Sequence, residues 1–240
     1  MGVRAYFRAP VALVWTLVGV VAVGVVAAAA LRIGALAARS PVVADPTVLD
    51  GLAGFVFTVT FGAVIVVVAS LVWLPCSLGV AYAVGSRVRG DAASFGDSID
   101  RLRARAEPLY RWVKTRIAIE PIADRLLTEN DVSPAEVAVG CDGFVVPALA
   151  LDAPTLQMAV GRANRAIPQP GRERPLAVGV GFTGLALAGA VGAGTIGSTA
   201  VPMRPLAIGA AIVGSVLTAA LDTAWRAGAY ARQDLDEGFG

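Results

Sequence analysis

Histidine is absent from the 240 residues of this chain. Its absence excludes a histidine-based catalytic triad, a histidine zinc ligand and a histidine axial ligand to haem within the chain. Only two cysteines are present, Cys76 and Cys141, and their spacing matches no metal-binding motif. We interpret both as free cysteines that behave as small apolar side chains, and we expect no cofactor and no metal site.

Charged residues are also scarce. They make up 16% of the chain, against 56% hydrophobic residues, whereas soluble domains carry roughly 25% charge. The formal net charge of +2 is too small to indicate a nucleic-acid partner. No phosphate-binding loop follows a predicted strand and no nucleophile lies beside a base, so the sequence predicts a protein that is not an enzyme.

The residues that are present form long uncharged runs. These are Pro10–Leu31 (22 residues), Gly51–Ser86 (36), Pro175–Met203 (29) and Pro205–Leu221 (17). A bilayer core of ~30 Å requires about 20 apolar residues in a helix. The sequence therefore predicts an all-α fold, a polytopic transmembrane bundle of about four spans. The first run exceeds the ~7–15 apolar residues of a signal peptide, so we expect a retained anchor.

The runs divide the chain into three regions. Residues 1–86 hold transmembrane helices 1 and 2, and the second is predicted to kink at Pro75. Residues 87–174 form a basic amphipathic helical region, either cytosolic or interfacial. Residues 175–240 hold helices 3 and 4 and a short cytosolic tail. The expected crossings lie near 10–32, 52–76, 176–198 and 205–224.

An apolar stripe opens the basic region. Its members recur every three or four residues: Phe95, Ile99, Leu102, Ala106, Leu109, Val113 and Ile117. This spacing predicts one apolar helix face, with Pro108 and Pro121 expected to bend or segment the helix. Two interpretations stay open at even weight. The face either sinks into the membrane interface or packs against the rest of the protein.

The segment 134–151 is the ambiguous element. Ser133 and Glu136 form a capping-box pattern at its start. Its apolar residues favour insertion by roughly 2–4 kcal/mol, and Asp142 opposes it by about 2.5–3.5 kcal/mol. The segment is thus a candidate for dipping into the membrane, and four, five or six membrane segments remain open. Asp152 and Pro154 are then expected to open a short helix that ends near Ala166.

Basic residues indicate the orientation. With four crossings and the amino terminus inside, 17 of the 20 Lys and Arg residues are cytosolic. A fifth crossing at 134–151 would weaken this asymmetry. The positive-inside rule therefore favours a multi-pass protein of the cell membrane with four crossings and both termini in the cytoplasm.

Two acids are candidates for ion or proton coupling, because ionisable residues inside a membrane are often functional. Asp142 lies within an apolar segment, and Asp222 closes the last predicted crossing. The plainer interpretation of Asp222 is a helix-end carboxylate paired with Arg226 one turn later. The Gly- and Ala-rich helix 175–198 could also support a homo-oligomer, since small residues let helices approach closely.

Short motifs carry a resemblance to a known family. The sequence Phe144–Asp152, the Ala-rich helix after it, the Ser94–Leu102 connector and the Ala227–Arg232 ending resemble an uncharacterised family of prokaryotic, often haloarchaeal, polytopic membrane proteins. That family has six helices. This chain departs from it where a central hairpin of two further crossings would fall, because Tyr110–Leu127 carries six charged residues. The resemblance implies no activity and no residue role.

Two functions compete. The first is a structural, assembly or lipid-interacting membrane component, with the bilayer, including anionic lipids, as partner of the basic region. The alternative is a small transporter or channel subunit that uses an intramembrane acid, since interrupted helices build such sites.

Overall fold

The computed structural model describes residues 2–37, 39, 52–117, 131–132, 136, 142–166 and 203–237. These residues form eight helices and no strand. The helices are α1 (Gly2–Phe7), α2 (Pro10–Ala37), α3 (Leu52–Arg89), α4 (Phe95–Ala104), α5 (Ala106–Ile117), α6 (Asp142–Leu151), α7 (Leu156–Arg165) and α8 (Met203–Glu237). The predicted all-α class is confirmed for this part of the chain.

Two of these helices are long and apolar enough to cross a membrane. They run over Pro10–Leu36, with a mean hydropathy of 2.6, and over Val59–Arg89, with a mean hydropathy of 2.4. The pair α6 and α7 would count as a third span if the two were one element, but they meet at a bend of 119°. The predicted third crossing, 176–198, lies outside the described residues. The predicted fourth, 205–224, falls within α8, which continues to Glu237.

Helices α2 and α3 form an antiparallel pair whose close contact depends on two glycines. A Cβ atom on Gly79 of α3 would lie 2.4 Å from the ring of Trp15, and one on Gly19 of α2 would lie 2.4 Å from the ring of Trp73. Because glycine has only a hydrogen atom as its side chain, each indole ring can lie directly against the backbone of the opposite helix. Pro75 sits inside α3, and the helix continues through it to Arg89.

The short helix α1 joins α2 to α8. The hydroxyls of Tyr6 and Thr16 are hydrogen-bonded at 2.7 Å, which ties α1 to the first turns of α2. A Cβ atom on Gly228 of α8 would lie 2.5 Å from the Cα of Gly2. Pro10 then begins α2, at a helix position where a missing N–H costs nothing.

Helix α6 is almost entirely buried in the packed part of the molecule. It contacts α3, α7 and α8. Its buried residues are Phe144, Val145, Pro147, Ala148, Leu149, Ala150 and Leu151. Ten residues of helix rise about 15 Å, half of what a bilayer core requires. The ten described residues of α6 do not by themselves reach across a bilayer core.

The predicted helix start at Ser133 lies outside the described residues. The helix begins at Asp142 in the described residues, and of the predicted capping box only Glu136 is described. Its end at Leu151 agrees with the prediction. The following helix, α7, is capped by Thr155, whose Oγ1 accepts from the Met158 N–H. The expected helix to about Ala166 is present, with Thr155 rather than Asp152 as its cap.

The apolar stripe of the basic region is split between α4 and α5. The break lies at Arg105, because Pro108 sits in the first turn of α5, where proline is tolerated. Ile99 and Leu102 pack against the core, and Leu109 belongs to it. These contacts favour the packed interpretation of the stripe. Pro121 lies outside the described residues.

Candidate functional site

A group of ionised side chains lies where α3, α6, α7 and α8 meet. Arg89, in the last turn of α3, donates two parallel hydrogen bonds to Asp152, Nη1 to Oδ1 at 2.8 Å and Nη2 to Oδ2 at 2.7 Å. Nη1 of Arg162 lies 3.6 Å from Oδ2 of the same carboxylate. With Tyr230 these residues form the Asp152 cluster. The bidentate geometry is the strongest form of an arginine–carboxylate pair.

Tyr230 connects the Asp152 cluster to α8. Its hydroxyl is hydrogen-bonded to Arg162 and to Asp152, and its side chain is buried. Burial, and then the negative charge of Asp152, raise the pKa of Tyr230 to about 12. The phenol therefore stays protonated and donates to the carboxylate at neutral pH.

Close backbone approach sets this geometry. A Cβ atom on Gly85 of α3 would lie 2.5 Å from the Leu151 side chain, so the end of α6 rests directly on α3. Arg89 follows Gly85 by one helical turn and Asp152 follows Leu151 in sequence, which brings the two charges together. The cluster is thus a consequence of how α6 ends against α3.

A second group surrounds the start of α6. Nε of Arg226 donates to Oδ2 of Asp222 at 2.8 Å, and its guanidinium lies 5.8 Å from the centre of the Phe144 ring. Phe144 also contacts Trp225, with ring centres 6.4 Å apart. These four residues form the Arg226 cluster. A Cβ atom on Gly143 would overlap the guanidinium, so the α6 backbone passes directly over it.

The Arg226 cluster contains one predicted site residue and adjoins the other. Asp222 accepts from Arg226, as the pairing interpretation predicts, and its Oδ1 atom is buried with no hydrogen-bond partner among the described residues. Asp142 begins α6 next to Gly143, so its backbone lies beside the same cluster. Its side chain is outside what the structure describes. The two acids, 80 residues apart in sequence, thus lie on elements that meet at Arg226.

The sequence alone did not indicate Asp152 as the centre of an ion-pair cluster. It is an acid directly after an apolar segment, and Arg89 is a base directly after an apolar run. Each is typical of a helix end facing water. The sequence could have indicated that these two helix ends face the same membrane surface. That they pair with each other depends on the tertiary arrangement.

A third ion pair joins α5 to the chain near Asp131. Nζ of Lys114 lies 2.9 Å from Oδ2 of Asp131, whose side chain is 1% exposed. Thr115 of α5 donates to the carbonyl oxygen of Val132 at 3.4 Å. In the described part of the chain, no group of three or more Cys, Asp or Glu residues could hold a metal ion.

Comparison with protein-family models, with curated proteins and with solved structures finds no match to this chain. Interpretation of its function therefore rests on the distribution of apolar and charged side chains described above.

Proposed function

We propose that this chain is a multi-pass integral protein of the cell membrane that acts as a structural, assembly or lipid-interacting component and has no catalytic role. The observation that carries the proposal is the apolar surface of α2 and of the first half of α3. Leu17 and Val25 on α2 are 64% exposed, as is Val66 on α3. A continuous aliphatic surface of this kind is unfavourable in water and is what a lipid-facing helix presents.

Aromatic residues support the placement of one membrane surface. Tyr6, Trp15, Tyr82, Trp225 and Tyr230 all lie in the packed part of the molecule, and the last two belong to the Arg226 and Asp152 clusters. Tryptophan and tyrosine are enriched where a membrane meets water. The Asp152 cluster would then mark the level at which α3 leaves the apolar core.

The finer topology is part of the same proposal. Four crossings are proposed, near 10–32, 176–198 and 205–224 and along α3, whose apolar span reaches Arg89 rather than ending near 76. They place both termini and the basic region after α3 in the cytoplasm. The asymmetry of basic residues supports this arrangement.

Two measurements test the proposal. Resistance of the full chain to alkaline carbonate extraction is expected for an integral protein, and release into the soluble fraction would contradict it. Single cysteines at Arg103 and Arg172, in a background without Cys76 and Cys141, should react with an impermeant maleimide from the cytoplasmic side. Reaction of the two from opposite sides would instead support five crossings.

A second function, a small transporter or channel subunit, is favoured by one observation. The helices α6 and α7 form an interrupted pair with a 119° bend, and α6 begins beside Arg226. Arg226 pairs with Asp222, whose Oδ1 atom has no hydrogen-bond partner among the described residues. Interrupted helices next to an acid are the elements that transporters use. Proton flux into proteoliposomes distinguishes the two functions. Flux that falls in Asp222→Asn and Asp142→Asn would support transport, and the absence of flux in the wild type would support the structural role.

A further inference from the structure

Arg89 and Arg162 share the Asp152 carboxylate, whereas two arginines of α4 and its C-cap have no acid partner among the described residues. Arg101 and Arg105 lie one helical turn apart on α4 and its C-cap, where residues i and i+4 share a face. The other basic residue of α4, Arg103, lies 3.6 Å from Asp100, and both of these side chains are 78% exposed. Neither Arg101 nor Arg105 makes an ion pair with an acid in the part of the chain that the structure describes.

Arg101 is held in place by uncharged groups. Its Nη2 donates to the carbonyl oxygen of Leu151 at 3.3 Å, and its guanidinium lies 5.4 Å from the centre of the Tyr82 ring. These contacts fix the plane of the guanidinium on the side of α3. They use few of its five N–H donors, so others remain available to an acceptor.

Arg105 is the less satisfied of the two. Its Nε atom is buried and makes no hydrogen bond with the described residues. Burial, and then the positive charge of Arg101, lower the pKa of the Arg105 guanidinium. A buried donor without an acceptor next to a like charge is unfavourable, and an anion that accepts from both groups would remove both penalties.

The surroundings add positive charge. Leu151, the acceptor for Arg101, precedes Asp152, whose single carboxylate already serves Arg89 and Arg162. Two guanidinium groups thus share this acid, and Arg101 lies next to it at the Leu151 carbonyl, with Arg105 one turn further along. Planar guanidinium forks match the oxygen atoms of phosphate, which accept several hydrogen bonds at once.

The position of α4 favours a lipid headgroup as the source of the phosphate. Phe95 at its start lies 5.2 Å, centre to centre, from the ring of Trp15 on α2, and α4 packs against the end of α3. The apolar span of α3 ends at Arg89. A helix beside the last turns of a membrane span lies at the level of the lipid headgroups.

We propose that Arg101 and Arg105 bind the phosphate group of an anionic phospholipid at the cytoplasmic membrane surface. The inference rests on the membrane placement proposed above and adds a specific headgroup site to it. It predicts preference for phosphatidylglycerol over phosphatidylcholine, because the diester of the former carries no compensating cation.

The test measures lipid binding to the purified full chain in detergent by native mass spectrometry. We expect Arg105→Gln to weaken phosphatidylglycerol binding about tenfold, as loss of one charge-assisted contact implies. Arg103→Gln is the matched control, since it removes the same charge from an exposed site on the same helix. Arg105→Lys, which keeps the charge but loses the fork, should fall between the two.

The outcomes are distinct. Equal loss in Arg105→Gln and Arg103→Gln, or no loss in either, would overturn the inference in favour of diffuse surface attraction or no site. Inorganic phosphate at millimolar concentration separates the sources. Displacement of the lipid by phosphate would assign the site to free phosphate rather than to the headgroup, and persistence of lipid would support the headgroup.

Two controls separate this inference from the proposed function. Helical content by circular dichroism checks that each variant is folded, and Arg101→Gln offers a second route to the same loss if Arg105→Gln unfolds. Carbonate extraction reports on membrane integration independently. A chain that stays in the membrane without discriminating between lipids would contradict the headgroup site alone, whereas an extractable chain would contradict the membrane placement itself.

Discussion

The two halves of α3 have similar apolar sequences and opposite surroundings. In the first half, Val56, Val64 and Val66 are 53%, 55% and 64% exposed. In the second half, Leu78, Val80 and Val84 are fully buried against the neighbouring helices. The same type of side chain therefore faces outward in one half and forms the protein core in the other.

What distinguishes the halves is the size of the residues between the large ones. The packed half interleaves them with small residues, namely Cys76, Ser77, Gly79, Ala81, Ala83, Gly85 and Ser86. The outer half carries an uninterrupted aliphatic run, Val64–Val68. Lipid chains are as apolar as valine, so moving a valine side chain from lipid into a helix–helix contact contributes little to the free energy of association. Close approach at small residues is what allows helices to associate there.

The largest expected effect on stability comes from removing the charge of Asp152, at the packed end of α3. Asp152→Asn removes the carboxylate that Arg89 and Arg162 share, and loss of one partner from a largely buried pair costs about 3–5 kcal/mol. We expect a correspondingly lower free energy of unfolding in detergent titrated with a denaturing surfactant. The fall would show that the packed end, rather than the outer half, holds the described fold together.

Asp100→Asn is the matched control for that change. Asp100 pairs with Arg103 at 3.6 Å, and both side chains are largely exposed. Exposed pairs contribute about 0–1 kcal/mol, so this variant should unfold almost as the wild type does. Equal destabilisation in the two variants would show that the Asp152 cluster has no special role.

A medium effect should separate the two halves of α3 directly. Gly79→Ala forces a methyl group into the Trp15 ring, and overpacking of this kind costs about 1–3 kcal/mol. Gly62→Ala, in the outer half, meets nothing within 4 Å. It should be neutral or stabilise by up to about 1 kcal/mol, because alanine favours a helix more than glycine does. The same unfolding titration measures both changes.

The reverse order would overturn the comparison. If Gly62→Ala were the more destabilising change, the outer half would carry a close helix contact. The half that contains Gly79 would then not be the principal packing surface of α3.

Much of the fold could be predicted from the sequence, because uncharged length identifies a membrane helix directly. Helices α2 and α3, the end of α6 and the helix after Pro154 were all expected. The division of α3 into an exposed and a packed half was not predicted, because a uniformly apolar helix has no period that marks which part of it is buried.

The candidate site was predictable only in part, for a related reason. The pairing of Asp222 with Arg226 follows from i,i+4 spacing and was expected. The Asp152 cluster depends on contacts between residues 63 or more positions apart along α3, α6 and α8. The predicted stripe passes from Leu109 to Val113 and omits Trp112, which lies three residues after Leu109 and which the structure places in the core. Local patterns predict local contacts, and the rest depends on how α6 ends against α3.

The smallest expected effect concerns Tyr230, which joins α8 to the packed end. Tyr230→Phe removes its hydrogen bonds to Asp152 and Arg162, a loss of about 1 kcal/mol at neutral pH. Because the pKa of Tyr230 is raised in the folded protein to about 12 from 10.0, its contribution to stability is complete below pH 10. That contribution is lost as the pH rises from 10 towards 12. The difference in unfolding free energy between the wild type and Tyr230→Phe should therefore shrink over this range.

Tyrosinate absorbance gives an independent reading, since the variant should lack one ionisation step near pH 12. A difference that stays constant with pH would show that the phenol is not held by the Asp152 cluster.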